Sequence, residues 1–342
     1  MAFTIAYRPT FVIVDAYNFF IRHYVVNPSM DVNGDPIGGV VGTLQGLRKL
    51  VDRFKPTSVF VVWDGEGSAE RRRSIRGEYK EGRKVRLNRE YDFNTTAGIE
   101  LRNMDEQVVC VREFIGLLGV GQINPAGVEA DDSIAYLCSV LDGRKIVVST
   151  DNDMLQLIGP DVDVYNPVKD RVLKGEDVLK EQGCLPSNFA CVKAICGDRG
   201  DNVSGVAGVG PKGVVKIVPE LATEEDMGLG RVLDLIEERA YTPGKKENAK
   251  AKANTKAVDI TNMRGHIEEN MRLVSLRDPL VSPDAARSIR SLATDKREFK
   301  PVSIRAKMLN DGIQLSDDFD RQFMMLASRT SLWLNGQRKN EE

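Results

Sequence analysis

The chain has 342 residues, of which 29% are charged and 42% are hydrophobic, and its formal net charge is −2. These proportions are ordinary for a soluble globular protein, and no apolar run approaches the ~18 residues that span a bilayer, so a membrane protein is excluded. The five cysteines form no CxxC pair and no pattern with histidines, so neither a disulfide framework nor a zinc site is indicated. No export signal is recognisable, and we expect a cytoplasmic protein.

Short β-branched and aromatic runs alternate with amphipathic segments in the first half of the chain. The runs at residues 11–14, 59–63 and 146–149 predict buried parallel strands. Apolar spacing predicts two helices between them, one carrying Val40, Leu44, Leu47, Val51 and Phe54 and another carrying Met104, Val108, Val111, Ile115 and Leu118. This alternation predicts an α/β fold with a mostly parallel central sheet flanked by helices, in which sites form at the carboxyl ends of the strands.

A polar and basic segment at residues 65–103 interrupts this alternation, and we expect it to form an excursion from the core. The cations between positions 70 and 90 are Arg71, Arg72, Arg73, Arg76, Lys80, Arg83, Lys84, Arg86 and Arg89. On charge alone, a solvated basic face is the ordinary interpretation. Together with the acidic residues elsewhere, the segment indicates a polyanionic partner whose contact with the chain is mediated by metal ions.

Carboxylates form the strongest chemical signal, since most of them follow predicted strands or begin predicted helices. They are Asp15, Asp64, Glu129, Asp131, Asp132, Asp151, Asp153, Asp198 and Asp201. Any one of them alone would be interpreted as a cap or turn residue. Gathered together they would repel one another strongly unless cations were bound, and hard oxygen ligands favour Mg²⁺ or Mn²⁺. The only histidines are His23 and His266, which leaves little material for histidine-based catalysis.

Several motifs occur in a fixed order along the chain. They are VDAYN (14–18), VVWDG (61–65), EYKEGR (78–83), GVEADD (127–132), STDNDMLQL (149–157) and GDRGDNVSGVAGVGPKG (197–213). Their order and spacing resemble the flap endonuclease family of 5′ nucleases, which includes phage-type 5′-3′ exonucleases and the N-terminal nuclease domain of bacterial DNA polymerase I. The resemblance covers roughly residues 10–290. In one departure from the family pattern, Ala16 stands where the family often has glycine.

The resemblance implies a PIN-like 5′ nuclease fold with a helical arch and a helix-three-turn-helix subdomain. The 5′ nuclease catalytic domain is expected at residues 1–183, with the basic arch at about 65–103. A helix-three-turn-helix DNA-binding region is expected at residues 184–300, and a helical extension of unknown role at residues 301–342. No polymerase domain follows, so we expect a free-standing, monomeric nuclease of a bacterial or phage-infected host cytoplasm.

The resemblance also implies two divalent ions, Mg²⁺ with Mn²⁺ as a substitute. Around one ion would lie mainly Asp15, Asp64, Glu129 and Asp131, and around the other mainly Asp151, Asp153, Asp198 and Asp201, with Asp132 nearby. Two ions ~4 Å apart can activate a water, align it with the scissile phosphorus and stabilise the departing 3′ oxygen. Lys80 and Arg83 match the family's active-site cations, and together with Asp153 they are the catalytic candidates.

The arch and the glycine-rich turn at residues 205–212 are the nucleic-acid-binding regions that the resemblance implies. Glycines let a backbone approach a phosphate closely, whereas the alternative interpretation is a plain loop. Tyr79 is expected to stack on a base. The binding candidates are Arg72, Arg73, Tyr79, Lys80, Arg83, Lys84, Gly208, Gly210 and Lys212. Backbone carbonyls of Val203 and Val206 are the candidate ligands of a potassium ion.

By resemblance, the chain is a structure-specific 5′ nuclease, both a 5′-3′ exonuclease and a flap endonuclease, with RNase H-like activity on RNA–DNA hybrids. Its substrates would be DNA with a 5′ flap, a nick or a free 5′ end. Its role would be removal of RNA primers and flaps in lagging-strand replication, beside a single-stranded-DNA-binding protein or other replisome components. Two alternatives stay open, a PIN-type ribonuclease and a catalytically silent DNA-binding protein. The GDRGDN motif disfavours the first, and the retained carboxylates disfavour the second.

Overall fold

The computed structural model describes residues 8–81, 97–242, 252–316 and 318–341. The chain divides into two compact units. Unit 1 comprises residues 1–66, 84–150 and 281–342, and unit 2 comprises residues 67–83 and 151–280. Each unit is assembled from separated segments of the chain, and the functional domains expected at residues 1–183, 184–300 and 301–342 stay a prediction.

The described strands are mostly short. They are β1 (Thr10–Asp15), β2 (Ser58–Val62), β3 (Gly121–Ile123), β4 (Arg144–Val148), β5 (Val162–Asn166), β6 (Arg171–Leu173), β7 (Gly197–Asp198), β8 (Val203–Ser204), β9 (Tyr241–Thr242) and β10 (Lys252–Ala253). The described α-helices are α1 (Ala16–Val26), α2 (Gly38–Phe54), α3 (Glu70–Ile75), α4 (Ala97–Leu117), α5 (Ala130–Val140), α6 (Gly175–Gln182), α7 (Phe189–Cys196), α8 (Pro211–Ile217), α9 (Leu229–Glu238), α10 (Thr255–Asn262), α11 (Arg264–Val274), α12 (Pro283–Thr294), α13 (Pro301–Asn310) and α14 (Arg321–Glu341).

Parallel strands form the sheet of unit 1, in the order β3-β2-β1-β4. β1 lies between β2 and β4, and its last residue, Asp15, is opposite Val62 of β2. Every residue of β2 and all but the first of β1 are buried, as expected for strands that are covered on both faces. The three predicted strands are therefore confirmed as β1, β2 and β4, and the mostly parallel α/β fold is confirmed with them.

Both amphipathic helices predicted from apolar spacing are present, as α2 and α4. α2 buries Val40, Leu44, Leu47 and Val51. Burial of each such side chain stabilises the fold by roughly 1.5–3 kcal/mol, so this face alone accounts for the position of the helix. Among the described helices, even α4 and α14 with 21 residues each lack the apolar length that crossing a bilayer requires.

The C-terminal helices belong to unit 1 and extend its core. Trp333 on α14 packs against Phe11 of β1 and Phe60 of β2, with ring centroids 5.1 and 6.4 Å away. Thr330 on the same helix donates its hydroxyl to the Thr57 carbonyl at 2.9 Å. The extension that carried no recognisable motif therefore covers part of the sheet of its own unit.

The described residues of unit 2 contain three antiparallel strand pairs among short helices, and one of these pairs is β9 with β10. β5 pairs with β6, and β7 pairs with β8, where Asp198 is opposite Val203. Helices α7 and α11 pack against each other, and each contacts one strand of the β7–β8 hairpin. The aspartates of the GDRGDN motif therefore lie on a hairpin that two helices support.

His23 on α1 gives unit 1 an expected pH dependence. Its ring packs edge-on against Phe19, with centroids 5.0 Å apart. Burial, with the charges of Arg22 and Lys49, lowers the pKa of His23 from 6.5 to about 4. The unfolded chain therefore binds the proton first, and the free energy of unfolding decreases by up to roughly 3 kcal/mol as the pH falls through this interval. Urea unfolding at several pH values measures the loss. We expect the free energy of unfolding to decrease less with falling pH in His23→Gln than in the wild-type protein. An equal decrease in both proteins would contradict the assignment of this pH dependence to His23.

Candidate metal centre

Three aspartates of unit 2, Asp153, Asp198 and Asp201, bring ligand atoms within 4.8 Å of one another. Asp153 and Asp201 are buried, and Asp198 is half-buried. Within the described part of the chain, no other set of three histidine, cysteine or acidic side chains is gathered this closely. Carboxylate oxygens without nitrogen or sulfur donors suit hard cations such as Mg²⁺ and Mn²⁺. This acidic cluster is therefore a candidate metal centre.

Two short 3₁₀ helices, each capped by an aspartate, hold the acidic cluster. The Asp151 carboxylate accepts the N–H of Asp153 at 2.9 Å, at the start of the turn that follows β4. The Asp198 carboxylate accepts the N–H of Gly200 at 2.7 Å, at the start of the turn that contains Asp201. The aspartate-rich motifs thus fix their own turns, because short acidic side chains bind nearby backbone N–H groups.

Lys193 on α7 supplies a positive charge to the acidic cluster. The residue is 9% exposed, and its Nζ contacts the carboxylate of Asp153 and, at 2.6 Å, that of Asp198. Burial acts to raise the pKa of Asp198, but the Lys193 ammonium and nearby backbone N–H groups outweigh burial and hold that pKa below its usual value. Three carboxylates against one ammonium leave an excess of negative charge that favours a divalent cation.

Residues 197–205, here called the acidic loop, begin and end close together, and glycines permit this approach. The point where the two ends meet is here called the neck. A Cβ at Gly197, whose φ is 76°, would lie 2.3 Å from the Gly205 nitrogen. A Cβ at Gly205 would lie 2.0 Å from the last carbonyl of α7. The Val206 N–H donates to the Ile195 carbonyl at 2.9 Å and completes the neck. No larger residue fits where these backbones touch.

The turn at residues 78–81 lies against the acidic loop within unit 2. Tyr79 donates its hydroxyl to Asp201 at 3.1 Å, and the Lys80 N–H donates to the Asp201 carbonyl at 3.2 Å. The Asn202 amide donates to the carbonyls at both ends of the turn, at 3.0 Å each. These bonds hold Lys80 at a φ of 55°, a conformation that costs about 1 kcal/mol. A catalytic candidate is thus attached by its backbone to a candidate metal ligand.

Two of the predicted nucleic-acid contacts lack the necessary exposure. Tyr79 is 2% exposed, so in this structure it presents no ring face for the base stacking that we expected. Arg72 is 3% exposed, and its Nε donates to a backbone carbonyl of α11 at 2.9 Å, so it is engaged inside unit 2 rather than by a phosphate. Arg73 is exposed and stays a candidate. Arg83 and Lys84 lie outside the described residues.

Unit 1 places its predicted ligands at strand ends. Asp15 ends β1 and accepts the Ser149 hydroxyl at 2.9 Å. Asp64 follows β2 and accepts the N–H of Ala130, the first residue of α5, at 3.0 Å. Glu129 is the buried residue that immediately precedes this helix. This is the arrangement expected at the carboxyl edge of a parallel sheet.

Asp131 and Asp132 lie in the first turn of α5, where the helix dipole favours negative charge. Asp132 is buried. The described carboxylates of unit 1 do not form a set of three within 4.8 Å, unlike the acidic cluster of unit 2. Their assignment as metal ligands, and that of Asp151, therefore stays a prediction.

The glycine-rich turn leads from the acidic loop into α8, as its sequence predicts. Gly208 has a φ of 72°, and Gly210 directly precedes the helix. A Cβ at either glycine would meet nothing within 4 Å, and Lys212 is exposed, so this face is open to a large ligand. Contact with DNA here, and a potassium ion on the carbonyls of Val203 and Val206, stay predictions.

Sequence reasoning missed Lys193. A usable signal is present, since Lys193 stands alone in the otherwise apolar run FACVKAIC of α7, five residues before Asp198. A lysine in an apolar helix is seldom buried without a partner. Its position therefore indicates an acidic partner, and the acidic motif that follows supplies one.

The chain matches known proteins over much of its length. Residues 10–183 match the family described as 5′-3′ exonuclease, N-terminal resolvase-like domain. A 5′-3′ exonuclease of Aquifex aeolicus (strain VF5) is 30% identical over 222 residues, which are 64% of this chain and 72% of that protein. The flap endonuclease Xni of Shewanella sediminis (strain HAW-EB3) is 32% identical over 213 residues, 61% of this chain and 76% of that protein. The chain therefore belongs to the 5′-3′ exonuclease family of nucleases, which confirms the resemblance of its motifs.

Solved structures show the same fold. The flap endonuclease of bacteriophage T5, in a structure with DNA and metal ions, matches with a TM-score of 0.60 at 20% identity, over 93% of this chain and 99% of that one. Flap endonuclease-1 from Methanococcus jannaschii matches with a TM-score of 0.52 at 15% identity, over 95% of this chain and 94% of that one. At such identities the likeness concerns the fold, and the predicted 5′ nuclease fold is confirmed.

Proposed function

We propose that this chain is a divalent-metal-dependent, structure-specific 5′ nuclease that acts as a 5′-3′ exonuclease and a flap endonuclease. The observation that carries the proposal is the acidic cluster of Asp153, Asp198 and Asp201, which lies in the same unit as Lys80. The family and the names of its relatives support the same activity.

Mg²⁺, with Mn²⁺ as a substitute, is the cofactor that this donor set fits. One ion would be held by Asp151, Asp153, Asp198 and Asp201. A second would be held by Asp15, Asp64, Glu129 and Asp131, with Asp132 nearby. When bound, such ions supply Lewis-acid activation of water and of the scissile phosphate. The T5 flap endonuclease structure contains metal ions, which supports a metal-dependent reaction.

The chain's own cations have distinct proposed roles. The Lys80 ammonium, and the guanidinium of Arg83 three residues later in the sequence, would offset the negative charge that develops on the phosphate. Lys193 would hold the carboxylates of Asp153 and Asp198 in place before a metal ion binds. Preorganised charges of this kind need no rearrangement during the reaction, which is the source of their effect on rate.

The substrate backbone would bind at two exposed features of unit 2. One is the exposed Arg73, in the described part of the basic segment, and the other is the glycine-rich turn with Gly208, Gly210 and Lys212. Contacts to phosphates fix position without reading sequence, which suits an enzyme that recognises the shape of its substrate. A potassium ion on the Val203 and Val206 carbonyls would stabilise this turn.

The proposed substrates are DNA with a 5′ flap, a nick or a free 5′ end, and RNA–DNA hybrids. The proposed role is removal of RNA primers and 5′ flaps during lagging-strand replication, in contact with single-stranded-DNA-binding protein or other replisome components. The names of the relatives as flap endonuclease and 5′-3′ exonuclease support the substrate class.

A 5′-labelled flap substrate tests the proposal. We expect cleavage near the flap junction in Mg²⁺, no cleavage in excess chelator, and little cleavage of intact duplex. A folded protein that cuts no flap in Mg²⁺ or Mn²⁺ would defeat the proposal. Binding without cleavage would favour the catalytically silent alternative, and a strong preference for single-stranded RNA would favour a PIN-type ribonuclease.

Lys80→Ala is expected to lower kcat by about 10²-fold or more and to change KM much less, because a charge aimed at the reacting phosphate acts mainly in the transition state. Steady-state cleavage of the flap measures both constants. The matched control is Lys212→Ala, on the exposed glycine-rich turn, which should weaken substrate binding and leave kcat nearly unchanged. An unchanged kcat in Lys80→Ala would remove Lys80 from the reaction.

A further inference from the structure

Asn270 is a buried residue of α11 that the proposed reaction does not use. Its side chain is 0% exposed, and its Nδ2 donates to the carbonyls of Ala194 and Ser204 at 2.9 and 2.8 Å. Ala194 follows Lys193 on α7, three residues before the acidic loop begins, and Ser204 lies on β8, near the end of that loop. One amide therefore joins α7 to the last strand of the loop that carries two of the clustered aspartates.

The surroundings of Asn270 fix the orientation of its amide. Both polar groups that it contacts are carbonyls, which only accept hydrogen bonds, so the nitrogen must face them. The other end of the amide, Oδ1, is buried and has no hydrogen-bond partner among the described residues. An unsatisfied buried acceptor destabilises a fold and calls for an explanation. The two hydrogen bonds that the same amide makes, to α7 and to β8, supply that explanation.

A second side chain of α11 supports the same strand. His266, one turn before Asn270, places its Nε2 2.8 Å from the Ser204 carbonyl, where the ring nitrogen donates. The backbones of Gly197 and Gly205 already touch. The two ends of the acidic loop are therefore held together by this backbone contact and by the hydrogen bonds from α11.

We propose that Asn270 is a positioning residue for the acidic cluster. By joining Ala194 to Ser204, it sets how far α7, with Lys193, lies from the acidic loop, and hence the spacing of the clustered carboxylates. This inference rests on the proposed function, since it concerns how that site holds its metal. Mg²⁺ demands near-ideal octahedral geometry, so small displacements of its ligands weaken binding. Loss of a group that orients ligands lowers metal affinity by about 10- to 100-fold.

Mn²⁺ binding to the intact chain without DNA, followed by the electron paramagnetic resonance signal of the free ion, tests the proposal. We expect Asn270→Ala to bind Mn²⁺ at the acidic cluster at least about 10-fold more weakly than the wild-type protein. Asp153→Asn identifies which binding event belongs to this cluster, because it removes one of the ligands.

Asn188→Ala is the matched control. Asn188 is equally buried in unit 2, and its amide also joins two carbonyls, those of Leu221 and Glu224, at 3.0 and 2.6 Å. Neither carbonyl belongs to the acidic loop or to α7. We expect both alanine variants to have lower melting temperatures without metal, and only Asn270→Ala to have weaker Mn²⁺ binding.

Wild-type Mn²⁺ affinity in Asn270→Ala, with a melting temperature lowered as in the control, would show a purely structural role and overturn the proposal. If Asn270→Ala does not fold, His266→Ala takes its place, because it removes an exposed donor to the same carbonyl. A smaller loss of Mn²⁺ affinity is expected there, and full affinity would count against the proposal. Failure of the wild-type protein to bind Mn²⁺ or to cut flaps would instead remove the proposed function itself.

Discussion

Asparagine in place of Asp153 is expected to abolish flap cleavage in Mg²⁺ while leaving DNA binding largely intact. The substitution keeps the size of the side chain and removes one anionic member of a cluster whose ligand atoms lie within 4.8 Å. A divalent ion contributes roughly 4 kcal/mol or more of transition-state stabilisation in such reactions. Since ~1.4 kcal/mol corresponds to a tenfold change in rate, the single-turnover rate constant should fall by about 10³-fold.

Asp234→Asn is the control for this prediction. Asp234 lies on α9, pairs with Arg264 at 2.9 Å and has a side chain that is 63% exposed. Its replacement removes the same charge from unit 2 without touching the acidic cluster, and exposed pairs of this kind contribute little to stability. Fluorescence anisotropy of a labelled flap, without divalent metal, should give similar affinities for both variants, because phosphate contacts lie on other residues. Full cleavage by Asp153→Asn would contradict the assignment of the cluster.

The strand-end carboxylates of unit 1 could be predicted from local pattern alone. Asp15 directly follows a run of buried apolar residues, and Asp64 follows another. Parallel strands bring their carboxyl ends to the same edge of a sheet, so two such runs place their aspartates near each other without knowledge of the rest of the fold. The helix α2 was predictable for a similar reason, since its buried face is a matter of spacing along 17 residues.

The acidic loop shows where local pattern stops being informative. Lys193 contacts a carboxylate 40 residues earlier in the chain, and Tyr79 donates to one 122 residues later. The resemblance implied that Tyr79 stacks on a base, whereas its hydroxyl donates to Asp201 inside unit 2. Burial of a polar side chain depends on a distant partner, and nothing in the neighbouring residues identifies that partner.

Short elements were also beyond prediction. β3 has three residues, from Gly121 to Ile123, and the β5–β6 hairpin has strands of five and three residues. Alternation over so few positions does not distinguish a strand from a loop. These strands form because neighbours already in place offer hydrogen bonds, as β2 does for β3. Tertiary structure, more than intrinsic preference, decides their conformation.

Methionine in place of Lys193 is expected to destabilise the metal-free protein and to increase the stabilisation that Mn²⁺ or Mg²⁺ provides. Lys193 contacts Asp153, with which it is buried, and the half-buried Asp198. Removing one member of a buried ion pair costs ~3–5 kcal/mol, because the remaining charges lose their partner. A bound divalent ion restores the missing positive charge and no longer competes with the ammonium for carboxylate oxygens. Differential scanning calorimetry with and without metal measures both effects.

Acid dependence gives an independent test of the same substitution. In the wild-type protein the pKa of Asp198 is lowered, so this group stabilises the fold above its unfolded pKa, and that stability is lost as the pH falls through the folded pKa, below 3.8. Without Lys193, burial and the backbone N–H groups of Gly200 and Asp201 remain, so the pKa of Asp198 is lowered less than in the wild-type protein. The acid-induced loss of stability that Asp198 contributes should therefore be smaller in metal-free Lys193→Met than in the wild-type protein, as urea unfolding at several pH values measures. Lys216→Met, on the exposed face of α8, should show neither the destabilisation nor the smaller acid-induced loss. Equal behaviour of the two variants would mean that the ammonium does not neutralise the cluster.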